Sequence, residues 1–313
     1  MKKEVTAERA VLTSVFVAIF DVILNTVMSI ITGSIVMLAE ALHGVADFVS
    51  ASLVYLGLKR SKKKPNREHP FGFGKALYIW TMLATFIMFI ITSGLVFYFG
   101  LERFLNPEEI ENLFFAYIVL TFFIISNGYS FSLGYRRVMK GKSFKTLIKT
   151  FKKSNLVESK TTMVLDSIGS LSALIGLIAL ILYGVTGDTR FDGLGAMAIA
   201  ATLAFFTIFL FLSTKELLLG KRASRFTENK IKKAALDIQG VQDVLDLKTM
   251  HMGLKKILVN IELHVKGSIK ISEGEKIMDQ VKSNIMKKVP EVYYVQVEIE
   301  TPDTELKIKT KKK

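Results

Sequence analysis

Glu40, His43 and Asp47 lie within one apolar run of helix length, from Thr32 to Leu58. Ionisable groups at lipid depth are costly and rarely accidental. On a helix His43 and Asp47, four residues apart, leave the same face about one turn from each other, and Glu40 falls three residues earlier on nearly that face. An imidazole and a carboxylate aimed together into a membrane protein can hold a divalent cation, a proton or each other. Charge enters a second apolar run at Asp166, with Thr162 four residues before it and Ser170 four after. Gly169 and Gly176 form a small-residue stripe on that run, which would let a neighbouring helix come close and bring Asp166 against the first group. Asp21 and Asn25, again four apart, are candidates for a proton relay or for pairing between helices. Asn127, beside Ser126, reads as a tie between helices.

Such side chains need spanning helices to position them. Half of the 313 residues are hydrophobic, and apolar runs of about 20 residues recur through the first two thirds of the chain. Six spans are predicted: Ala10 to Ile31, Ile35 to Leu58, Ala76 to Phe99, Leu113 to Tyr135, Met163 to Tyr183 and Leu194 to Leu218. The first follows Lys2, Lys3 and Arg9 but is too long for a signal peptide and lacks a small-residue cleavage site, so it is expected to be retained. The formal net charge of +14 comes from lysines and arginines in short segments between spans, a topology signal and not a nucleic-acid surface. These residues gather before the first span, between the second and third, and between the fourth and fifth, which predicts cytoplasmic termini in a cell inner or plasma membrane. The loop Glu102 to Asn112 is acidic and reads as solvated. Phe144, Leu147, Ile148 and Phe151 recur at helical spacing among lysines, as in an amphipathic helix on an anionic leaflet. The absence of cysteine excludes disulfides, thiolate metal sites and cysteine nucleophiles, so any metal must be held by nitrogen and oxygen. No phosphate loop, nucleophile elbow or metalloprotease helix is present, and the chain is not expected to be an enzyme.

After Leu219 hydrophobicity falls and charge rises. Residues 1–219 are expected to form the transmembrane domain, 220–306 a second domain and 307–313 a basic tail. In the second domain Thr227 is expected to cap a helix running to Ile238. Two alternating strands follow, Val244 to Met250 and Ile257 to Val265. Ser272 and Glu275 read as a capping box for a helix whose apolar face is Ile277, Met278, Val281, Ile285 and Val289, and Val295, Val297 and Ile299 mark a third strand. This order implies a small α+β sandwich with its helices on one side of the sheet.

Six spans, an H-x-x-x-D pattern in the second, an aspartate in the fifth and a small α+β domain resemble the cation diffusion facilitator family, proton-coupled exporters of divalent transition metals. Strings in the right order strengthen the resemblance: Thr32-Gly33-Ser34 leading to Ala39-Glu40-Ala41-Leu42-His43, then His69 to Lys75, Phe191-Asp192-Gly193, Leu217 to Gly220 and Thr249 to Gly253. They are most similar to the branch containing the zinc-transporter-nine group. The resemblance implies a polytopic α-helical membrane protein of six transmembrane helices with a C-terminal cytoplasmic ferredoxin-like α+β domain that forms a homodimer. It implies a metal site of His43, Asp47, Asp166 and the Thr162 position, with Asp21, Glu40 and Asn127 as supporting or proton-coupling groups, and His69 and His251 as candidates for secondary metal sites. Many zinc exporters carry histidine where Thr162 stands, and the zinc-transporter-nine branch carries glutamates where Asn127 and Leu165 stand.

The chemistry also follows from the residue types. Two carboxylates and a neutral imidazole neutralise a dication, and three protein ligands leave room for water or a weak hydroxyl. Protons compete with metal for the same atoms, because the liganding forms are deprotonated. Zn²⁺ is the first expectation, with Mn²⁺, Fe²⁺ and Co²⁺ as alternatives that one nitrogen and several oxygens also suit. The competing expectation is a non-transporting metal sensor or scaffold of the same fold.

Overall fold

The computed structural model describes residues 7–139, 157–267 and 269–300, with side chains from Ile19 onward in the first helix and from Ser167 onward in the fifth. The amphipathic segment around Phe144 to Phe151 and the basic tail lie outside the described residues. Six long helices come first: α1 (Ala7–Thr32), α2 (Ile35–Ser61), α3 (Ala76–Leu105), α4 (Leu113–Met139), α5 (Val157–Thr186) and α6 (Arg190–Leu219). Each exceeds the roughly 20 residues needed to cross a bilayer. The helices contain the predicted spans and extend past them, because hydrophobicity ends at the lipid boundary whereas backbone hydrogen bonding continues beyond it. In α3 the segment Phe89–Leu95 is π-helical, a widened turn with no signature in hydropathy.

The chain divides into two units, 1–55 with 81–212 and 56–80 with 213–313. In the first, side chains from several helices meet in a core containing Val36, Met37, Leu120, Leu180, Ile199 and Leu203, while large apolar residues such as Phe86, Phe122 and Phe209 face outward. That arrangement suits lipid surroundings.

The start of α2 is fixed by a charge from α6. The first amides of a helix have no intrahelical acceptor and carry a partial positive charge. Asp192, fully buried, accepts hydrogen bonds from the Ile35 amide at 2.7 Å, the Val36 amide at 3.0 Å and the Ser34 hydroxyl at 2.7 Å. Arg103 is expected in a solvated loop but occupies the last turn of α3 and is buried, donating to the carbonyls of Gly33 at 2.8 Å and Glu108 at 2.9 Å. The carbonyls it satisfies explain its burial. The α3 and α6 backbones touch nearby: a Cβ at Gly193 would stand 2.6 Å from the Gly100 carbonyl oxygen and 2.7 Å from the Phe104 nitrogen.

The second unit contains α7 (Arg225–Leu236), β1 (Val241–Gly253), β2 (Lys256–Val265), α8 (Ile271–Lys288) and β3 (Val292–Ile299). The sheet order is β1-β2-β3, with β1 antiparallel and β3 parallel to the central β2. The alternation expected in β2 is present, since Ile257, Val259, Ile261, Leu263 and Val265 are all buried. Ile277, Val281, Ile285 and Val289 of the α8 segment join them, with Met278 only partly covered. Two caps differ from expectation. Ser224, not Thr227, caps α7, accepting from the Thr227 amide at 3.1 Å. α8 begins after Lys270, so Ser272 lies inside its first turn and no side-chain cap bond forms.

The same unit holds the loop between α2 and α3. A Cβ at Gly74 would stand 2.2 Å from the Met252 carbonyl oxygen, so the loop backbone lies directly on the β1–β2 turn. Lys75 donates to the Leu218 carbonyl at 3.4 Å, and the Lys221 carbonyl accepts from the His251 amide at 3.0 Å. Three of the sequence strings singled out above therefore meet at one place.

Candidate functional site

On α2 the His43 Nε2 and Asp47 Oδ2 atoms are 3.7 Å apart, too far for a hydrogen bond. His43 Nδ1 is buried and has no hydrogen-bond partner among the described residues. The two side chains thus face each other without satisfying each other. His43 is 14% exposed and Asp47 48%. Buried polar atoms are normally paired, so the partnerless Nδ1 is an exception.

Glu40 departs from expectation. A position near the end of the span suggests a partly wet carboxylate, yet Glu40 is buried and accepts a 2.5 Å hydrogen bond from the Ser172 hydroxyl of α5. The covering helix accounts for the difference. Ser172 is a residue that sequence reasoning missed, although it shares a three- and four-residue spacing with Gly169 and Gly176 and so belongs to the small-residue stripe.

That stripe does bring α5 against α2. A Cβ at Gly176 would stand 2.6 Å from Val36 Cγ1, one turn from the Glu40–Ser172 bond. Four residues along one helix match four along the other in the opposite direction. Continuing this antiparallel register six residues further places the Asp166 position level with Ala46, next to Asp47, and Thr162 one turn beyond. The side chains of Asp166 and Thr162 lie outside the described residues.

The supporting groups are distributed around this level. A Cβ at Gly44 would stand 3.1 Å from Val22 Cγ2, so α1 packs on α2 beside His43 and carries Asp21 at that height. Asn25, one turn along α1, is buried, and its Oδ1 has no partner among the described residues. Asn127 of α4 rests on α5 at Gly169, where an added Cβ would be 2.8 Å from its Nδ2. Among the described residues no three His, Asp or Glu side chains stand close enough to hold a metal.

The histidines of the second unit are less provided for. His69 sits in an exposed turn, its amide donating to Asn66 Oδ1 at 2.7 Å and its ring 4.3 Å from that of Phe73. His251 lies near the end of β1 and is half-buried, and burial holds its imidazole below the ordinary value. His264 faces away from the core with its Nδ1 3.4 Å from the Glu300 carbonyl oxygen.

Two family models match the chain. Residues 11–219 fit the family model described as the cation efflux transmembrane domain, and residues 223–302 the one described as the cation efflux protein cytoplasmic domain. The proton-coupled zinc antiporter SLC30A9, mitochondrial, of Mus musculus is 26% identical over 242 residues, 77% of this chain and 43% of that protein. The chain therefore spans less than half the length of that relative. The magnetosome protein MamM of Magnetospirillum gryphiswaldense is 22% identical over 282 residues, covering 89% of this chain and 83% of its own. A solved nickel form of the MamM CTD aligns with 25% of this chain and 98% of its own at 22% identity and a TM-score of 0.24. The transmembrane match alone takes in more than half of the sequence, and with it the chain belongs to the cation diffusion facilitator family.

Proposed function

We propose that the protein is a secondary transporter that exports a divalent transition metal, Zn²⁺ first, from the cytoplasm in exchange for protons. His43, Asp47 and Asp166 hold the ion, with Thr162 beside it. The observation that carries this reading is the α2 pair, the His43 imidazole with a buried Nδ1 that has no partner among the described residues and the Asp47 carboxylate 3.7 Å from its Nε2, on a helix against which α5, the helix of Asp166, packs at Glu40 and Ser172. The zinc antiporter similar to this chain supports the choice of metal and counter-ion.

One imidazole and two carboxylates cancel the charge of a dication in a low-dielectric interior. Thr162 supplies at most a neutral hydroxyl, so the set is richer in oxygen than a site with a second histidine. That weakens the preference for Zn²⁺ over Mn²⁺, Fe²⁺ or Co²⁺. Protons that load the same side chains drive the metal off, and alternate exposure of one site to the two sides turns this competition into exchange. Glu40, held by Ser172, and Asp21 on α1 supply further carboxylates near the ion. The basic loops support a cytoplasmic side for both termini. Residues 1–219 then form the transport domain, and 220–306 a cytoplasmic domain through which two copies pair, a reading that the family match over residues 223–302 supports.

Purified protein in proteoliposomes with an imposed pH gradient tests the proposal. Zn²⁺, Mn²⁺, Fe²⁺ and Co²⁺ are offered together, and metal is expected to move against the proton flow with Zn²⁺ preferred. Metal that binds without moving would overturn transport in favour of a sensor.

A further inference from the structure

We propose that Asp192 and Arg103 form a latch that keeps the site closed on the side opposite the termini, and that the site opens to that side when they release the turn between α1 and α2. The inference takes one thing from the transport reading, that a single site must reach both sides in turn.

The turn Thr32–Ser34 is gripped from two directions. Asp192 of α6 accepts from Ser34, Ile35 and Val36, and Arg103 of α3 donates to Gly33. The Glu111 amide donates to the Thr32 carbonyl at 2.9 Å, which adds the segment before α4. Beneath this girdle Val36 and Met37 have no exposed surface. About three turns further along α2 Asp47 is 48% exposed. One end of α2 is sealed and the level of the α2 pair is open.

The kinds of contact indicate where the seal parts. Between α3 and α6 the backbones touch at Gly100 and Gly193, with the Met197 side chain packed alongside. The two helices stay together there. Between that pair and the α1–α2 turn the contacts are hydrogen bonds that a carboxylate accepts from helix-end amides and a hydroxyl, and one that a guanidinium donates to a turn carbonyl. Such groups are readily solvated at a membrane surface, so water can replace every bond that the latch gives up. The plane of separation therefore runs between the turn and the α3–α6 pair, with Asp192 and Arg103 on one side and Gly33 to Val36 on the other. Asp192 acts here as a positioning residue, since it holds the helix that carries His43 and Asp47 and does not touch the ion.

The natural chain has no cysteine, so single thiols can report each side. Met37→Cys places one beneath the latch and Ser50→Cys one beyond Asp47. Each is read in the full-length protein in proteoliposomes by a membrane-impermeant maleimide added to either side, without metal. Asp192→Ala is expected to raise labelling of the Met37→Cys thiol from the side opposite the termini by about tenfold, and to lower labelling of the Ser50→Cys thiol from the termini side. Ser34→Ala, which removes the bond to Asp192 and a longer one accepted from the residue 37 amide at 3.4 Å, and Arg103→Gln should act in the same direction more weakly, and they carry the test if Asp192→Ala does not fold. Unchanged labelling of the Met37→Cys thiol in these variants overturns the latch, as does a rise at both reporters together, the mark of a loosened fold. A protein that labels as expected yet moves no metal would sink the transport reading and leave the latch standing.

Discussion

Replacing Ser172 by alanine removes the only described donor to a carboxylate buried between two helices, that of Glu40. The size of the effect can be bracketed from two sides. Hydrogen bonds between membrane helices contribute about 0.6 kcal/mol on average and about 1.7 kcal/mol at most, because the separated helices find other partners in the bilayer. Hydrogen bonds to charged groups in proteins contribute about 1.5–3 kcal/mol. The Ser172–Glu40 bond is short at 2.5 Å, and Ser172 has no exposed surface. It belongs where the two ranges meet, at about 1.5 kcal/mol, or roughly a tenfold change in an equilibrium constant. The assay is a double-mutant cycle with Ser172→Ala and Glu40→Leu, which leaves no acceptor for the hydroxyl, each read by denaturing-detergent unfolding of the full-length protein. The single losses should exceed additivity by about 1–2 kcal/mol in metal-free protein. The coupling should shrink when Zn²⁺ is present, since a bound dication becomes an alternative partner for the Glu40 charge. Additive single effects, within about 0.5 kcal/mol, would refute the reasoning that this bond joins α2 to α5.

Asp47→Ala and Asp166→Ala should each abolish metal flux in proteoliposomes, and flux equal to the parent protein in either would remove that residue from the site. Thr162→His should shift a four-metal competition towards Zn²⁺, because imidazole is a far better zinc ligand than a hydroxyl; an unaltered preference would place Thr162 away from the ion. Gly74→Val sets a side chain against backbone, where an added Cβ would be 2.2 Å from the Met252 carbonyl oxygen. The expected cost is about 1–3 kcal/mol, read as faster amide exchange in the β1–β2 turn. Burial lowers the His251 imidazole below its ordinary value of 6.5, so the unfolded chain takes up this proton more readily than the folded one. Its contribution to stability is then full above about pH 6.5 and lost as pH falls through the lowered value, and His251→Asn should flatten that part of the unfolding-midpoint profile.

Much of the framework was legible because it rests on local pattern. Length and hydropathy give six helices, and strict alternation gives the buried face of β2. The misreadings arise where a choice between neighbours, or a partner far along the chain, decides. Ser224 and Thr227 are both good caps three residues apart, and their hydroxyls lie 2.9 Å from each other, so sequence could not say which one starts α7. α8 starts at Ile271 because the Glu273 and Gly274 amides turn back to the Lys270 carbonyl, a backbone decision. Glu40 is dry because Ser172, 132 residues away, covers it. Asp192 reads as an isolated acid near a span end until the turn it caps, 158 residues earlier at Ser34, is folded beside it. Within the site itself, spacing alone paired His43 with Asp47, whereas the height of Asp166 follows only from the packing of α5 on α2.

The backbone contact between Gly100 and Gly193 also limits what the chain can carry at that height. A Cβ at Gly193 would stand 2.6 Å from the Gly100 carbonyl oxygen and 2.7 Å from the Phe104 nitrogen, so any side chain there would push α3 and α6 apart. Spreading that pair would also move Arg103 and Asp192 away from the turn they hold, so glycine at position 193 sets the spacing of two helices and the grip on a third.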